Sequence, residues 1–177
     1  MGMPATHRYW TAADLDEFDD ELRREVLHGE LFVTPVPAPR HAWSDLRLTA
    51  ALHPYCQSLG LVGPIGPVEL RIGEDLLAPD LAVYPSDAIL SGRWTDLPLP
   101  LLVVEILSPS TRRRDTGVKR DAYLSLGIPE YWQLDPDTES LTVSRPGAAE
   151  LTSTTTYVWH PVPDAPAFEL PIAPLFT

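Results

Sequence analysis

The sequence predicts an α/β fold in which a mixed central β-sheet is flanked by helices. The run LLVVEIL (101–107) is almost continuously apolar and rich in valine and isoleucine, which is typical of a central strand buried on both faces. Two segments, 41–59 and 116–126, carry helical signals, and the strand-like EYWQLD (130–135) follows the second of them. This strand–helix–strand order indicates that strands 101–107 and 130–135 are parallel neighbours.

The first third of the chain predicts a short helix, a hairpin and a long helix. Thr11 is a suitable N-cap for a helix over 12–18, which has acids in its first turns. The segment REVLHGELFVT (24–34) predicts two short strands joined by a tight turn at His28–Gly29. Apolar residues then recur at roughly helical spacing over 41–59, so we expect the long helix there.

The rest of the chain predicts the remaining strands and a second helix. Asp115 is expected to cap the helix over 116–126, while GEDLLAP (73–79) predicts a turn. We expect a single domain over residues 1–177, with its core at about 15–143 and weaker strands over 150–177. The other predicted strands are PVELRI (67–72), DLAVYP (80–85) and LTVSR (141–145).

The composition restricts the classes of function. A net charge of −12 argues against a dedicated nucleic-acid coat or a membrane-surface protein. Five of the 13 basic residues lie within 112–120, and this patch suits either one phosphate-facing site or a solvated helix face. The start MGMPATHRYW lacks signal-peptide features and no apolar run is long enough to span a bilayer. We therefore expect a cytoplasmic protein with no membrane partner.

Three residues form the candidate site that the sequence indicates. Asp80 opens a strand, Glu105 lies inside the buried strand, and Lys119 is the one lysine of the chain. Two carboxylates at neighbouring strand ends make an oxygen site suited to Mg²⁺ or Mn²⁺, which polarises a phosphoryl oxygen and supplies hydroxide. An ammonium nearby can position the attacking water. Asp115 lies four residues before Lys119 and shares its helix face.

The same three residues also have a purely structural interpretation. Asp80 would then belong to a turn, Glu105 would pair with an arginine, and Lys119 would lie on the surface. Acids and a lysine at this spacing occur in many α/β domains, so spacing alone does not decide between the two interpretations.

Longer motifs resemble the Uma2 family, also called DUF820, of the restriction-endonuclease-like PD-(D/E)XK superfamily. The similar segments run from about residue 15 to 143. They are REVLHGEL, PAPRHAWSDLRL, APDLAVYP, LLVVEILSPSTRRRD and KRDAYLSLGIPEYWQLDP. The resemblance implies a restriction-endonuclease-like fold and metal-dependent hydrolysis of DNA, and analogy with such nucleases implies a homodimer.

The resemblance also assigns roles to residues of this chain. Asp80 and Glu105 are expected to bind Mg²⁺ or Mn²⁺, with Lys119 as the third catalytic residue. Leu107 stands where the superfamily usually has its lysine, so that lysine would be displaced to the following helix. Glu30 is the expected acid of the first hairpin, with Glu25 as the weaker candidate.

Further residues are candidates for a supporting role. His41, Asp115 and Tyr123 are possible accessory residues, although His41 also suits a helix start and Tyr123 the core. Nucleic-acid contacts are expected from the basic patch, namely Arg112, Arg113, Arg114 and Arg120. The function predicted is DNA hydrolysis. The alternatives are a non-catalytic nucleic-acid-binding or interaction module that keeps the fold, or a structural protein.

Overall fold

Twelve strands and four α-helical segments are present in the computed structural model, which describes residues 8–20, 22–88, 92–109 and 111–177. The helices are α1 (Ala12–Leu15), α2 (Pro39–Ser58), α3 (Arg112–Arg114) and α4 (Arg120–Ser125), with a π-helix over Asp115–Lys119. The strands are β1 (Arg23–Leu27), β2 (Glu30–Thr34), β3 (Val62–Ile65), β4 (Leu70–Ile72), β5 (Asp75–Leu77), β6 (Leu81–Tyr84), β7 (Leu102–Ile106), β8 (Glu130–Asp135), β9 (Ser140–Ser144), β10 (Leu151–Ser153), β11 (Thr156–Trp159) and β12 (Phe168–Pro171).

The central sheet has six strands in the order β10-β9-β8-β7-β6-β3. Strand β7 is buried along its whole length, as its apolar sequence predicts. It pairs in parallel with β8, with Glu105 opposite Gln133, and antiparallel with β6. The predicted parallel crossover is therefore confirmed, and the sheet is mixed.

Each face of this sheet has its own hydrophobic cluster. On one face α2 packs through Leu48, Leu52 and Cys56, and the hairpin of β11 and β12 adds Trp159 and Leu170 to the same cluster. On the other face lie the aromatic rings of Tyr84, Tyr123 and Tyr131 together with Val103 and Ile128. Residues of β7 alternate between the two clusters, because successive side chains of a strand point to opposite faces.

A smaller sheet, in the order β2-β1-β5-β4, contains the predicted hairpin. His28 and Gly29 form its turn with φ of 51° and 80°, the positive values that a two-residue turn of this kind needs. The turn predicted over 73–79 is wrong in its second half. Gly73 begins a turn, but Asp75–Leu77 pairs with β4, and Leu76 pairs with Val26 of β1.

The helical run before α4 begins earlier than predicted. It starts at Arg112, so Asp115 is a buried residue within it and not an N-cap. Three consecutive arginines carry no apolar periodicity, and α3 is therefore invisible to a pattern-based prediction. The π-helix turns both Asp115 and Lys119 towards the protein interior.

Within the described ranges, no helix combines the length and the apolar character needed to cross a lipid bilayer.

The β11–β12 hairpin is expected to be part of the structural core. Trp159 is fully buried and packs edge-on against Trp132, with ring centroids 5.3 Å apart. We predict that Trp159→Ala lowers the free energy of unfolding by about 3–5 kcal/mol, because it removes a large buried side chain. Urea unfolding would measure this, with the exposed neighbour Val158→Ala as the control. Equal stability of the two variants would show that the hairpin is peripheral.

Candidate active site

A cavity of about 290 Å³ lies where β6 begins and β7 ends, beside β1 and the start of α2. Its lining includes the three residues that the sequence singled out, Asp80, Glu105 and Lys119. It also includes the predicted accessory residues His41 and Asp115. The catalytic roles of these residues remain predictions, but the fold brings their side chains to one place.

The register of the central sheet explains why the two acids meet. Leu81 lies opposite Val104 in the antiparallel pair of β6 and β7. One step further, Asp80 donates its backbone N–H to the Val104 carbonyl at 3.1 Å. Its carboxylate accepts the N–H of Ile106 at 2.8 Å. Asp80 and Glu105 therefore occupy facing positions, whose side chains share one face of the sheet.

Asp80 is held by the side chains of Arg23 and His41. Arg23 Nη1 donates to Oδ1 at 2.9 Å, and His41 Nε2 lies 3.2 Å from Oδ2. Burial alone would raise the Asp80 pKa, but the hydrogen bond from His41 and the charge of Arg23 outweigh it and lower the pKa to about 2. Asp80 is thus an anion at neutral pH. An ionised carboxylate only accepts hydrogen bonds, so Nε2 of His41 carries a proton.

Glu105 is buried against the helical run. Its Oε1 accepts hydrogen bonds from Lys119 Nζ at 2.6 Å and from the Tyr123 hydroxyl at 2.9 Å. Within the described ranges, Oε2 accepts no hydrogen bond from the protein. Burial raises the Glu105 pKa, and the nearby carboxylates add to this, although Lys119 opposes it. Tyr123 belongs to the hydrophobic cluster of Tyr84 and Tyr131, and it is not among the residues that line the cavity.

Lys119 is the central cation of the site, and only 1% of its side chain is exposed. Its Nζ lies 2.7 Å from Glu25, 2.6 Å from Glu105 and 3.6 Å from Asp115. Burial alone would lower the Lys119 pKa, but these three carboxylates raise it above its ordinary value. The surface interpretation of Lys119 is therefore excluded, and Glu105 pairs with this lysine instead of an arginine.

The acid that the first hairpin contributes is Glu25, which corrects the expectation of Glu30. Glu25 is buried in β1, and its Oε1 accepts the backbone N–H of Ala78 at 2.8 Å as well as contacting Lys119. Glu30 is exposed and does not line the cavity. The strand period of two places Glu25 on the same face as buried Leu27, and this signal could have identified it.

Arg23 is the cavity residue that sequence reasoning missed. It precedes Glu25 by two positions, so both side chains leave β1 on one face. Besides Asp80, it donates to the carbonyl of Ala78, two residues before Asp80 in the chain. An arginine in a short amphipathic strand usually lies at a solvated edge. The residue type of Arg23 therefore did not indicate a place in the cavity.

The predicted basic patch is largely neutralised by acids. Arg112 pairs with Asp135 at 2.7 Å, Arg114 with Glu25 at 3.0 Å, and Arg120 with Glu150 at 3.1 Å. Arg113 is exposed and has no acidic partner within the described part of the chain. Of the four predicted nucleic-acid contacts, Arg113 is thus the one that remains free to contact a phosphate.

The lining carries more acids than fixed cations. The carboxylates are Glu25, Asp80, Glu105 and Asp115, and the cations are Arg23, Arg114 and Lys119, with His41 able to add a further charge. With all four carboxylates ionised and His41 neutral, this lining has one excess negative charge. An added cation would offset it, and burial strengthens that attraction.

The carboxylates of the cavity can be compared with the ligands that a magnesium-like ion needs. The described residues contain no group of three or more His, Cys, Asp or Glu side chains arranged to hold a metal together. Mg²⁺ needs only one or two carboxylates when waters and substrate phosphates complete its shell. Asp80 and Glu105 match this requirement in number and type, and Glu105 Oε2 is a carboxylate oxygen that no described protein donor occupies.

Removing the charge of Lys119 should destabilise the protein in a pH-dependent way. In Lys119→Met, Glu25, Glu105 and Asp115 lose their shared cation, and an unpaired buried charge costs about 3–5 kcal/mol. Burial raises the pKa of Glu105 and Asp115, and Lys119 opposes this; without Lys119 both groups take up protons more readily on folding, so the loss becomes smaller as the pH falls. We expect a smaller deficit at about pH 5 than at about pH 8.

Urea unfolding of wild type and Lys119→Met at both pH values would measure this deficit. The matched control is Arg113→Met, which removes an exposed cation from the same helical run and should leave stability almost unchanged. A Lys119→Met protein as stable as wild type at both pH values would contradict the description of Lys119 as the central cation.

Comparison with known proteins agrees with this fold. A crystal structure described as "a putative nuclease belonging to DUF820", from Anabaena variabilis ATCC 29413, superposes with a TM-score of 0.75 and covers 92% of this chain and 94% of its own. Its sequence identity of 21% shows a shared fold alone. Among curated proteins, none matches the chain. The model of Uma2, a family described as "Putative restriction endonuclease", matches residues 11–173, and the chain therefore belongs to the Uma2 family.

Proposed function

We propose that this protein is a metal-dependent endonuclease that hydrolyses phosphodiester bonds of DNA in the cavity around Asp80. The observation that carries the proposal is the buried contact of Lys119 with Glu105, on the same cavity wall as Asp80. A buried ion cluster adds little stability compared with apolar residues of the same size. Stability alone therefore does not explain this cluster, and its place beside a cavity favours a chemical role. The descriptions of the Uma2 family and of the Anabaena variabilis protein support a nuclease.

The cofactor in this proposal is Mg²⁺ or Mn²⁺, held by Asp80 and Glu105. When bound, it would polarise a phosphoryl oxygen and promote ionisation of the attacking water. Tyr123 and Lys119 both donate hydrogen bonds to Oε1 of Glu105. These two bonds fix the orientation of the carboxylate, and Oε2 remains available to the metal ion. Arg23 fixes the Asp80 carboxylate through Oδ1, while His41 and the N–H of Ile106 hold Oδ2.

Lys119 would position the attacking water and offset the charge that develops on the phosphate. An ammonium has three N–H donors, and the two short contacts to Glu25 and Glu105 use two of them. The third faces only the longer 3.6 Å contact with Asp115, so it can serve the substrate. Because Lys119 is fixed by its neighbours, it would not have to reorganise during the reaction.

The acidic surface favours the second candidate, a non-catalytic nucleic-acid-binding or interaction module. The net charge is −12, and Arg112, Arg114 and Arg120 are paired with acids, so unspecific attraction to DNA is weak. The enzyme is preferred because a binding module has no need of a buried lysine between three carboxylates. As an enzyme for duplex DNA it would act as a homodimer, with one site for each strand.

The first test is DNA cleavage by Glu105→Gln. We expect the wild type to nick plasmid DNA with Mg²⁺ or Mn²⁺. The variant should lose at least about a hundredfold in rate, because it lacks a metal ligand. Loss of a residue that only orients a ligand costs about tenfold to hundredfold, and loss of the ligand itself should cost more. Agarose gels measure nicking, and circular dichroism checks that the variant is folded. The matched control is Glu69→Gln, which alters an exposed glutamate outside the cavity. Equal rates for all three proteins with both metals would favour the binding module.

A further inference from the structure

A second cavity, called here the hairpin groove, lies between the β1–β2 hairpin and the helical run. Its volume is about 520 Å³. Its lining includes Leu27, His28 and Phe32 from the hairpin and Arg113, Arg114 and Val118 from the helical run. Arg114 also lines the cavity of Asp80 and Glu105, so the groove and that cavity are neighbours on either side of one arginine.

The groove has one free positive charge. Arg113 is exposed and has no acidic partner in the described ranges, unlike Arg112, Arg114 and Arg120. Its guanidinium can therefore bind a phosphate without first breaking an ion pair. Glu30 adds one carboxylate to the lining. A single free cation beside one acid suits one phosphate better than the continuous backbone of a duplex.

Part of the groove wall is apolar, and it includes an aromatic ring. The guanidinium of Arg114 lies over Phe32, 4.7 Å from the ring centroid, and Val118 leaves 44% of its surface exposed. Nucleobases are flat and apolar on their faces, and they bind to surfaces built from aromatic rings and guanidinium planes. Phosphate alone would gain nothing from Phe32 or Val118.

We propose that the hairpin groove binds one unpaired nucleotide next to the phosphate that enters the cavity of Asp80. The substrate class is then single-stranded or locally unpaired nucleic acid, since bases of an intact duplex are stacked and out of reach. This inference rests on the proposed function, because it places the groove beside the site of hydrolysis. Contact with Arg113 fixes the phosphate and contact with Phe32 fixes the base.

The test measures binding of a fluorescein-labelled single-stranded oligonucleotide by anisotropy, in EDTA so that cleavage does not compete. Arg113→Ala should weaken binding about tenfold, as expected for a charge-assisted hydrogen bond. It should also reduce the slope of log K against log salt concentration by about one. The matched control is Arg93→Ala, which removes an exposed arginine from another part of the surface and should leave binding unchanged.

A second pair of variants tests the apolar wall. Val118→Asp places a carboxylate inside the groove and should weaken binding of the oligonucleotide severalfold. Val158→Asp makes the same change at a residue of similar exposure, 43%, on β11, and should have no effect. A hairpin duplex of the same length should bind more weakly than the single strand.

The outcomes separate this inference from the proposed function. Undetectable binding by wild type, equal binding by Arg113→Ala and Arg93→Ala, or equal affinity for duplex and single strand would overturn the inference. Hydrolysis of bis(p-nitrophenyl) phosphate, which is too small to occupy both cavities, reports on the cavity of Asp80 alone. Binding that depends on Arg113, without hydrolysis of this ester or of DNA, would support the groove and contradict the nuclease.

Discussion

The structure of the site depends on the ion pairs of Lys119. A fully buried ammonium requires compensation, and Glu25, Glu105 and Asp115 provide it from a hairpin, the central sheet and the same helical run. Three separate elements thus converge on one atom, Nζ. Without this cation their ionised carboxylates would repel one another in a medium that screens poorly, so Lys119 stabilises their close approach.

Strand β1 connects this cluster to the second acid of the site. Arg23 binds Asp80, and Glu25, two residues later on the same face, binds Lys119. Glu25 also accepts the N–H of Ala78, which fixes the segment just before Asp80. The smaller sheet therefore positions both halves of the site, and a shift of β1 by one residue would turn both side chains away from it.

The parts of the structure that were predicted correctly depend on strong local patterns. The apolar run of β7 and the strand–helix–strand order identified the central parallel pair, and that pair places Glu105 beside the helical run of Lys119. The family motifs identified Asp80. Each of these signals lies within one continuous stretch of the sequence. Burial of that stretch determines its pattern of apolar residues.

Arg23, which was missed, and Glu25, which was ranked second, depend on contacts between distant segments. Glu25 and Arg23 lie more than 50 residues before Asp80 in the chain, and only the pairing of β1 with β5 brings them together with it. The arginines suggested a binding patch because the sequence does not show that Asp135 and Glu150 neutralise two of them.

We propose that Asp80 and Glu105 bind a divalent metal ion for hydrolysis. Isothermal titration calorimetry with Mn²⁺ tests it most directly, because the readout does not require a substrate. We predict one bound ion per chain in the wild type, and at least about tenfold weaker binding in Asp80→Asn and in Glu105→Gln. The absence of Mn²⁺ binding by the wild type, or unchanged affinity in both variants, would contradict it.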